Sequence, residues 1–228
     1  MIVAVHQPQY LPWLGYFDKI RQADCFCFLD DVQYKKNEWQ NRNRIKTANG
    51  WQWLTVPVRY RFGQKINQVR INDTVNWPRK HLQALHTNYA KAPFFSQYIG
   101  LLEHAYQKAW DTIEALNIYL IETIRNLLDL DHKPAVRSSE MQLRDQPSLR
   151  LVDICKLLGA DTYLAGAGGA AYMDLEPFRQ NGIEVIFQKF AHPVYPQLYG
   201  PFQSHLSILD LLFNCGPESP SILAGKRK

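Results

Sequence analysis

Residues 3–46 read VAVHQPQYLPWLGYFDKIRQADCFCFLDDVQYKKNEWQNRNRIK, and the order of elements within them decides the fold. The apolar run Ile2-Val3-Ala4-Val5 predicts a strand. It stops abruptly at His6-Gln7-Pro8 and gives way to a proline-bearing aromatic loop, Tyr10-Leu11-Pro12-Trp13-Leu14-Gly15. A helical pattern containing Phe17 and Ile20 follows. A second apolar run, Cys25-Phe26-Cys27-Phe28-Leu29, then ends in Asp30-Asp31. Strand, loop, helix, strand places polar chemistry at the carboxyl ends of two neighbouring strands. In open parallel sheets that edge is where ligands bind.

A chain of 228 residues with 46% hydrophobic residues suits one compact domain with a sizeable core. No apolar run approaches the ~20 residues of a membrane helix. The amino-terminal residues lack the charged start and apolar stretch of a signal peptide, so a cytoplasmic location is expected. Cys25, Cys27, Cys155 and Cys215 show no metal-binding spacing and read as small buried hydrophobes of a reducing compartment. The net charge of +5, gathered partly in residues 35–46 and in the tail Lys226-Arg227-Lys228, suits an anionic ligand, either a phosphorylated small molecule or nucleic acid.

Further along, Asn43–Thr47 and Trp51–Val58 flank Ala48-Asn49-Gly50, and Asn-Gly is a hairpin signal. With a third strand at Gln68–Ile71, residues 41–72 form a β excursion. Residues 76–130 predict three helices, an insertion or subdomain, the first capped by Asn76 with Pro78 in its first turn. The α/β pattern then resumes with a strand near 135–139, a helix capped by Ser148 and closed by Gly159, a strand 161–165 ending in Gly166-Ala167-Gly168-Gly169, a short helix and a strand 183–187. A last helix spans 207–213. The expected whole is a single α/β domain over 1–216, a mostly parallel Rossmann-like sheet with a β-hairpin excursion and a helical insertion, followed by a tail at 217–228.

Four constellations could carry chemistry. His6 with Asp30 and Asp31 combines a histidine with carboxylates that can fix its tautomer for acid–base work. Adjacent carboxylates also suit Mg²⁺ beside a ligand phosphate, the one cofactor the pattern suggests. A plain reading makes His6 a strand end and Asp30 the start of a turn. In Trp39-Gln40-Asn41-Arg42-Asn43-Arg44-Ile45-Lys46, alternation puts Arg42 and Arg44 on one strand face with Gln40 and Lys46, and Asn41 with Asn43 on the other. Paired guanidinium forks suit phosphate or carboxylate. The competing reading is an edge strand guarded by charge. Gly166 and Gly168 after a strand could let the backbone approach a phosphate, although neither the dinucleotide fingerprint nor a P-loop is present. His192-Pro193-x-Tyr195-x-Gln197, with Ser207 and Asp210, forms a stiff polar loop of the kind that lines pockets.

His6-Gln7-Pro8, Leu11-Pro12-Trp13-Leu14-Gly15-Tyr16-Phe17, Phe28-Leu29-Asp30-Asp31-Val32-Gln33, Trp39-Gln40-Asn41-Arg42-Asn43, His192-Pro193-x-Tyr195-x-Gln197 and Leu206–Leu212 together resemble the WbqC-like family across the chain to about Gly216. The resemblance implies a setting in bacterial surface-polysaccharide (O-antigen, lipopolysaccharide) biosynthesis. A looser, fold-level likeness is to nucleotidylyltransferases, but Trp13-Leu14-Gly15-Tyr16 stands where those carry His-x-Gly-His.

The expected function is therefore a group-transfer enzyme acting on a nucleotide-activated or phosphorylated sugar. His6, Asp30 and Asp31 are its candidate catalytic residues. Gln7, Tyr10, Trp13, Gln33, Trp39, Asn41, Arg42, Asn43, Arg44, Lys46, Gly166, Gly168, His192, Tyr195 and Gln197 are candidates for substrate binding. The competing classes are a single-stranded nucleic-acid binder, disfavoured because the basic residues are not segregated to one long face, and a non-catalytic ligand-binding or scaffold protein.

Overall fold

In the computed structural model, which describes residues 1–171 and 173–225, the two opening apolar runs are β1 (Ile2–His6) and β2 (Cys25–Phe28). The basic tail Lys226-Arg227-Lys228 lies outside the described residues. Alternation along the two strands divides their side chains between two cores. Val3, Val5, Cys25 and Cys27 face one, and Ala4, Phe26 and Phe28 face the other. Burial on both faces explains why these runs are continuously apolar.

The first helix, α1 (Leu14–Gln22), covers the Phe26 side through Leu14, Phe17 and Ile20. The two-stranded excursion β3 (Arg42–Thr47) and β4 (Gly50–Thr55) is a hairpin closed by Thr47 opposite Gly50. Gly50 has φ +120°, a conformation that only glycine adopts freely. The strand expected near 68–71 does not extend this hairpin. β5 (Val58–Arg59) and β6 (Arg70–Ile71) pair with each other as a separate antiparallel ribbon. Pro57 lacks the N–H needed to continue the β4 ladder, and the chain turns away there.

Three helices follow, α2 (Trp77–Tyr89), α3 (Phe95–Gln107) and α4 (Ile113–Leu127). The Asn76 side chain caps the first, accepting from Arg79 N at 3.2 Å. Their buried residues, among them Leu85, Leu102 and Leu116, join the same core as Phe17 and Phe26.

β7 (Ala135–Arg137) returns to the sheet, and α5 (Pro147–Leu157) packs Val152 and Cys155 on the opposite face, against the Cys27 side. Its cap is Gln146, not Ser148. Pro147 fills the first helical position and Gln146 Oε1 accepts from Leu149 N at 2.6 Å. β8 (Thr162–Ala165), α6 (Glu176–Gln180) and β9 (Glu184–Phe187) complete the sheet. α7 (Ile208–Cys215) is buried along its whole length. Residues from 217, expected as a tail, wind into a short turn and α8 (Ser219–Leu223), whose Ser219 and Leu223 are buried.

The five-stranded sheet has the order β7-β2-β1-β8-β9, with every neighbouring pair parallel. From β1 the chain moves out through β2 to β7, then crosses to β8 and β9 on the other side. The direction of winding therefore reverses between β1 and β8, and their carboxyl ends flank the crevice where such sheets bind ligands.

The loop leaving β1 is buried although it is not regular structure. Pro8 and Pro12 have no N–H, so the loop holds more acceptors than donors. Side-chain amides make up the difference. Asn117 Nδ2, on α4, donates to Pro8 O at 3.1 Å and Gln40 O at 2.7 Å. Asn43 Nδ2 donates to Leu11 O at 2.7 Å and Tyr10 O at 3.3 Å. Asn117→Ala should cost roughly 2–4 kcal/mol, because two buried carbonyls lose their donor. Urea unfolding measures this, and a loss under about 1 kcal/mol would show that water fills the place.

Candidate functional site at the carboxyl edge of the sheet

His6 ends β1 at this edge, and Asp30 follows β2 at the same edge, since His6 pairs with Phe28 and its carbonyl accepts from Leu29 N at 2.9 Å. The expected union of histidine and carboxylates does not extend to contact. His6 Nδ1 lies 3.2 Å from its own neighbour's carbonyl, Gln7 O, and the ring packs edge-on against Tyr16 at 4.9 Å. Burial, and then the nearby Lys19 ammonium, push the imidazole pKa down to about 3, so the ring is neutral at pH 7.

The carboxylates turn away to β7 and α5. Asp30, 1% exposed, accepts from Ser138 Oγ at 3.0 Å, Ser139 N at 2.9 Å and Ser139 Oγ at 2.5 Å. Asp31 is held by Arg150 and Ser138, with Lys65 at 4.0 Å. Although burial pushes the Asp31 carboxyl up, the Ser138 and Arg150 hydrogen bonds and the charges of Arg150 and Lys65 bring it below the usual range. These oxygens lock β2 to its neighbours and offer no open position beside His6. Among the described residues, no group of three or more His, Cys, Asp or Glu side chains could hold a metal ion.

Lys19, not the aspartates, is the charged side chain that acts on His6. The carbonyls of β1 alternate, with Ile2 and His6 directed to β2 and Met1 to β8. Val5 O therefore points toward β8, where the two strands part. Lys19 Nζ, 3% exposed, donates to it at 2.9 Å. Burial alone pushes this ammonium down to about 7, and it has no carboxylate partner among the described residues. Its neighbour Asp18 is engaged by Arg21, Gln22 and Gln188. Gly166 follows Leu164 by two residues, as His6 follows Ala4, and Leu164 with Ala4 is the last pair between β8 and β1. A methyl group at Gly166 or Gly168 would meet nothing within 4 Å, whereas one at Gly169 would strike Met173 Sδ at 2.9 Å. The open side of the glycine turn is thus the 166–168 side.

The remaining candidates divide into three sets. Tyr10 is not a pocket wall: it is 0% exposed, with its hydroxyl 2.8 Å from His81 Nδ1 and bonded to Tyr106. Asn41 and Asn43 share the face opposite Arg42 and Arg44 and are both buried, Asn41 Nδ2 donating to Val56 O at 2.9 Å. Lys46 is also buried, donating to Gln197 Oε1 at 3.0 Å and Pro201 O at 2.8 Å. Gln197 in turn donates to Asp210 Oδ1 at 2.7 Å, and Tyr89 OH donates to Asp210 Oδ2 at 2.7 Å. Gln197, grouped with Asp210 in the sequence as part of a polar loop suited to a pocket, spends its amide on Asp210 and Lys46 and so fastens α7 to β3.

A second set borders the crevice. Gln40 Nε2 donates to Gln7 Oε1 at 2.6 Å, which sets the start of the 40–46 stretch beside the His6 loop. Trp13, at the start of α1, stacks on His205 at 4.9 Å and His192 at 6.3 Å, and Tyr195 stacks on His192 at 6.3 Å. Gly15 is needed here, since a Cβ would lie 2.3 Å from the Trp13 ring. The third set, Trp39, Arg42 and Arg44, occupies the outer face of the hairpin, and Gln33 is exposed beside Lys65.

Lys19 escaped sequence reading because a lysine between Asp18 and Arg21 looks like a solvated helix face. The available signal was position, one turn into the helix that follows the first strand of a parallel sheet.

Among the described residues, no helix is long and apolar enough to cross a membrane. No solved structure matches the chain. An uncharacterized protein of Mycobacterium tuberculosis (strain ATCC 25618 / H37Rv), Rv1507c, is 40% identical over 225 residues, which span 97% of this chain and 96% of that protein. The model of the WbqC-like protein family matches residues 7–222. That match runs from the loop after β1 through α7 into α8, and the chain belongs to the WbqC-like protein family.

Proposed function

We propose that this protein is a group-transfer enzyme acting on a nucleotide-activated or otherwise phosphorylated sugar, in bacterial surface-polysaccharide assembly, with the phosphate seated between the ends of β1 and β8. The observation that carries the reading is a buried ammonium beside an imidazole, at the sheet's switch point, with no carboxylate paired to either among the described residues. A buried ammonium without a counter-charge in low dielectric is costly, and an anion restores the balance. The turn beginning at Gly166 supplies space without side chains.

His6 is the group that meets the ligand in this reading, and Lys19 acts behind it as a positioning residue. Burial holds both groups toward their neutral forms. A bound phosphoryl group favours the charged forms, so the ligand itself raises the basicity of His6 into a range useful for proton transfer. Asp30 and Asp31 support the edge from outside the reaction. The walls are Trp13 and the Gln7–Gln40 pair.

His6→Gln should abolish turnover while nucleoside-diphosphate sugars still bind. Gly168→Val, whose side chain would enter open space, should weaken that binding roughly ten-fold or more with little change in thermal stability. Calorimetric titration of the two variants with a panel of such sugars checks this, and unaltered affinity in Gly168→Val would remove the phosphate from the glycine turn.

Lys19 gives a pH test. An unfolded lysine keeps its proton to about 10.5, while folded Lys19 releases it near 7. Between those values the unfolded chain binds the extra proton, so Lys19 makes stability rise with pH by up to about 1.4 kcal/mol per unit. Lys19→Met should therefore be more stable than the natural protein at pH 7, with the gap closing toward pH 9.5 in urea unfolding. Ligand binding at pH 8 should draw in a proton, seen as buffer-dependent heats, and Lys19→Met should lose that uptake. A constant stability gap, or buffer-independent heats, would contradict the role given to Lys19.

A further inference from the structure

The outer face of the β3–β4 hairpin carries a feature that the crevice does not use. Arg42 and Arg44 stand two residues apart on β3, opposite Thr55 and Trp53 on β4. The Arg42 guanidinium lies 4.2 Å from the centre of Trp53. That of Arg44 lies among three indoles, 5.2 Å from Trp51, 5.5 Å from Trp39 and 5.9 Å from Trp53. Neither arginine pairs with a carboxylate among the described residues. Each gives a hydrogen bond to a backbone carbonyl, Arg42 to Asn37 O and Arg44 to His205 O at 3.1 Å, and its Nε has no partner. Trp51 is 46% exposed.

The hairpin does not need this face in order to fold, because its inner face buries Asn43, Ile45 and Leu54. A large exposed indole beside two guanidiniums that meet no carboxylate among the described residues suits a ligand that has an apolar face and an anionic group a few ångströms apart. A carboxylated pyranose has that build. Its C–H face lies on an indole, and its carboxylate accepts from a guanidinium fork.

A single nucleic-acid strand fits less well. Successive bases need successive free ring faces, but Trp51 meets Trp53 edge-on at 79°, and arginines already occupy Trp53. An isolated phosphate would leave Trp51 unused. We infer that the Trp39–Arg42–Arg44–Trp51–Trp53 shelf is a binding site for acidic, carboxylate-bearing sugar residues. The inference is independent of the crevice reading.

Titration with a disaccharide ending in glucuronate tests it, followed by indole fluorescence and calorimetry. The matched glucose disaccharide, glucose 1-phosphate and an oligothymidylate serve as the comparison arms. The glucuronate ligand should bind at least about ten-fold more tightly than the neutral one. Arg44→Lys and Trp51→Ala should each weaken it about ten-fold, and His6→Gln should leave it unchanged, which separates this site from the crevice. Trp51→Phe, which keeps a ring, should retain binding and guards against a folding artefact. Equal binding of the neutral disaccharide, tighter binding of glucose 1-phosphate, tighter and steeply salt-dependent binding of the oligothymidylate, undiminished affinity in Arg44→Lys, or no binding of the glucuronate ligand at about 10 mM would each overturn it.

Discussion

The loop from Gln7 to Trp13 has more buried carbonyls than amides to satisfy them, and the molecule is assembled around that shortage. Backbone polar groups that leave water must find partners, and two prolines in this loop have none to offer each other. Asn117 brings α4 to Pro8 O, Asn43 brings β3 to Leu11 O, and the amide of Ile208 at the start of α7 reaches Pro12 O at 2.8 Å. Three elements far apart in sequence thus converge on one short segment. The hairpin and the helical insertion are held over the carboxyl edge of the sheet as a result, and the walls of the crevice follow from that placement.

Electrostatics divide the same edge into two regions. On the β2 side, negative charge is fully answered, Asp30 by serine donors and Asp31 by Arg150. On the β8 side, the Lys19 ammonium meets no carboxylate among the described residues, and the His6 ring beside it is neutral. Trp13 and His205 connect this region to the hairpin face, since His205 stacks on the indole and lends its carbonyl to Arg44. Movement of that connecting segment would be felt both in the crevice and on the shelf.

Local pattern made much of the architecture legible. The doubled strand–loop–helix–strand unit, the Asn49-Gly50 hairpin, the Asn76 cap and the helices at 77–127 all rest on residues within a few positions of one another. The Arg42/Arg44 face followed from strand alternation. Other features depended on partners that no local window contains. Asp30 is claimed by Ser138 and Ser139, 108 and 109 residues away, and Lys46 by Gln197, 151 residues away. Lys19 reads as a surface charge until α1 is seen to be buried from Leu14 to Ile20. Tyr10 reads as a pocket aromatic until α2 and α3 supply His81 and Tyr106.

The clasp between Lys46 and the segment 197–210 also has a consequence for synthesis. Translation delivers the hairpin early and its partners late. Until the ribosome has passed Asp210, Lys46 has neither Gln197 nor Pro201 to donate to, and Arg44 O lacks the Ser207 amide that it accepts at 2.8 Å. A nascent chain has the Tyr10-Leu11 loop available to Asn43 early, but the other side of the hairpin's docking is completed only when residues 197–207 are made. A chain that ends before Gln197 lacks both acceptors of the Lys46 ammonium and the amide that donates to Arg44 O, so the hairpin is held from one side alone.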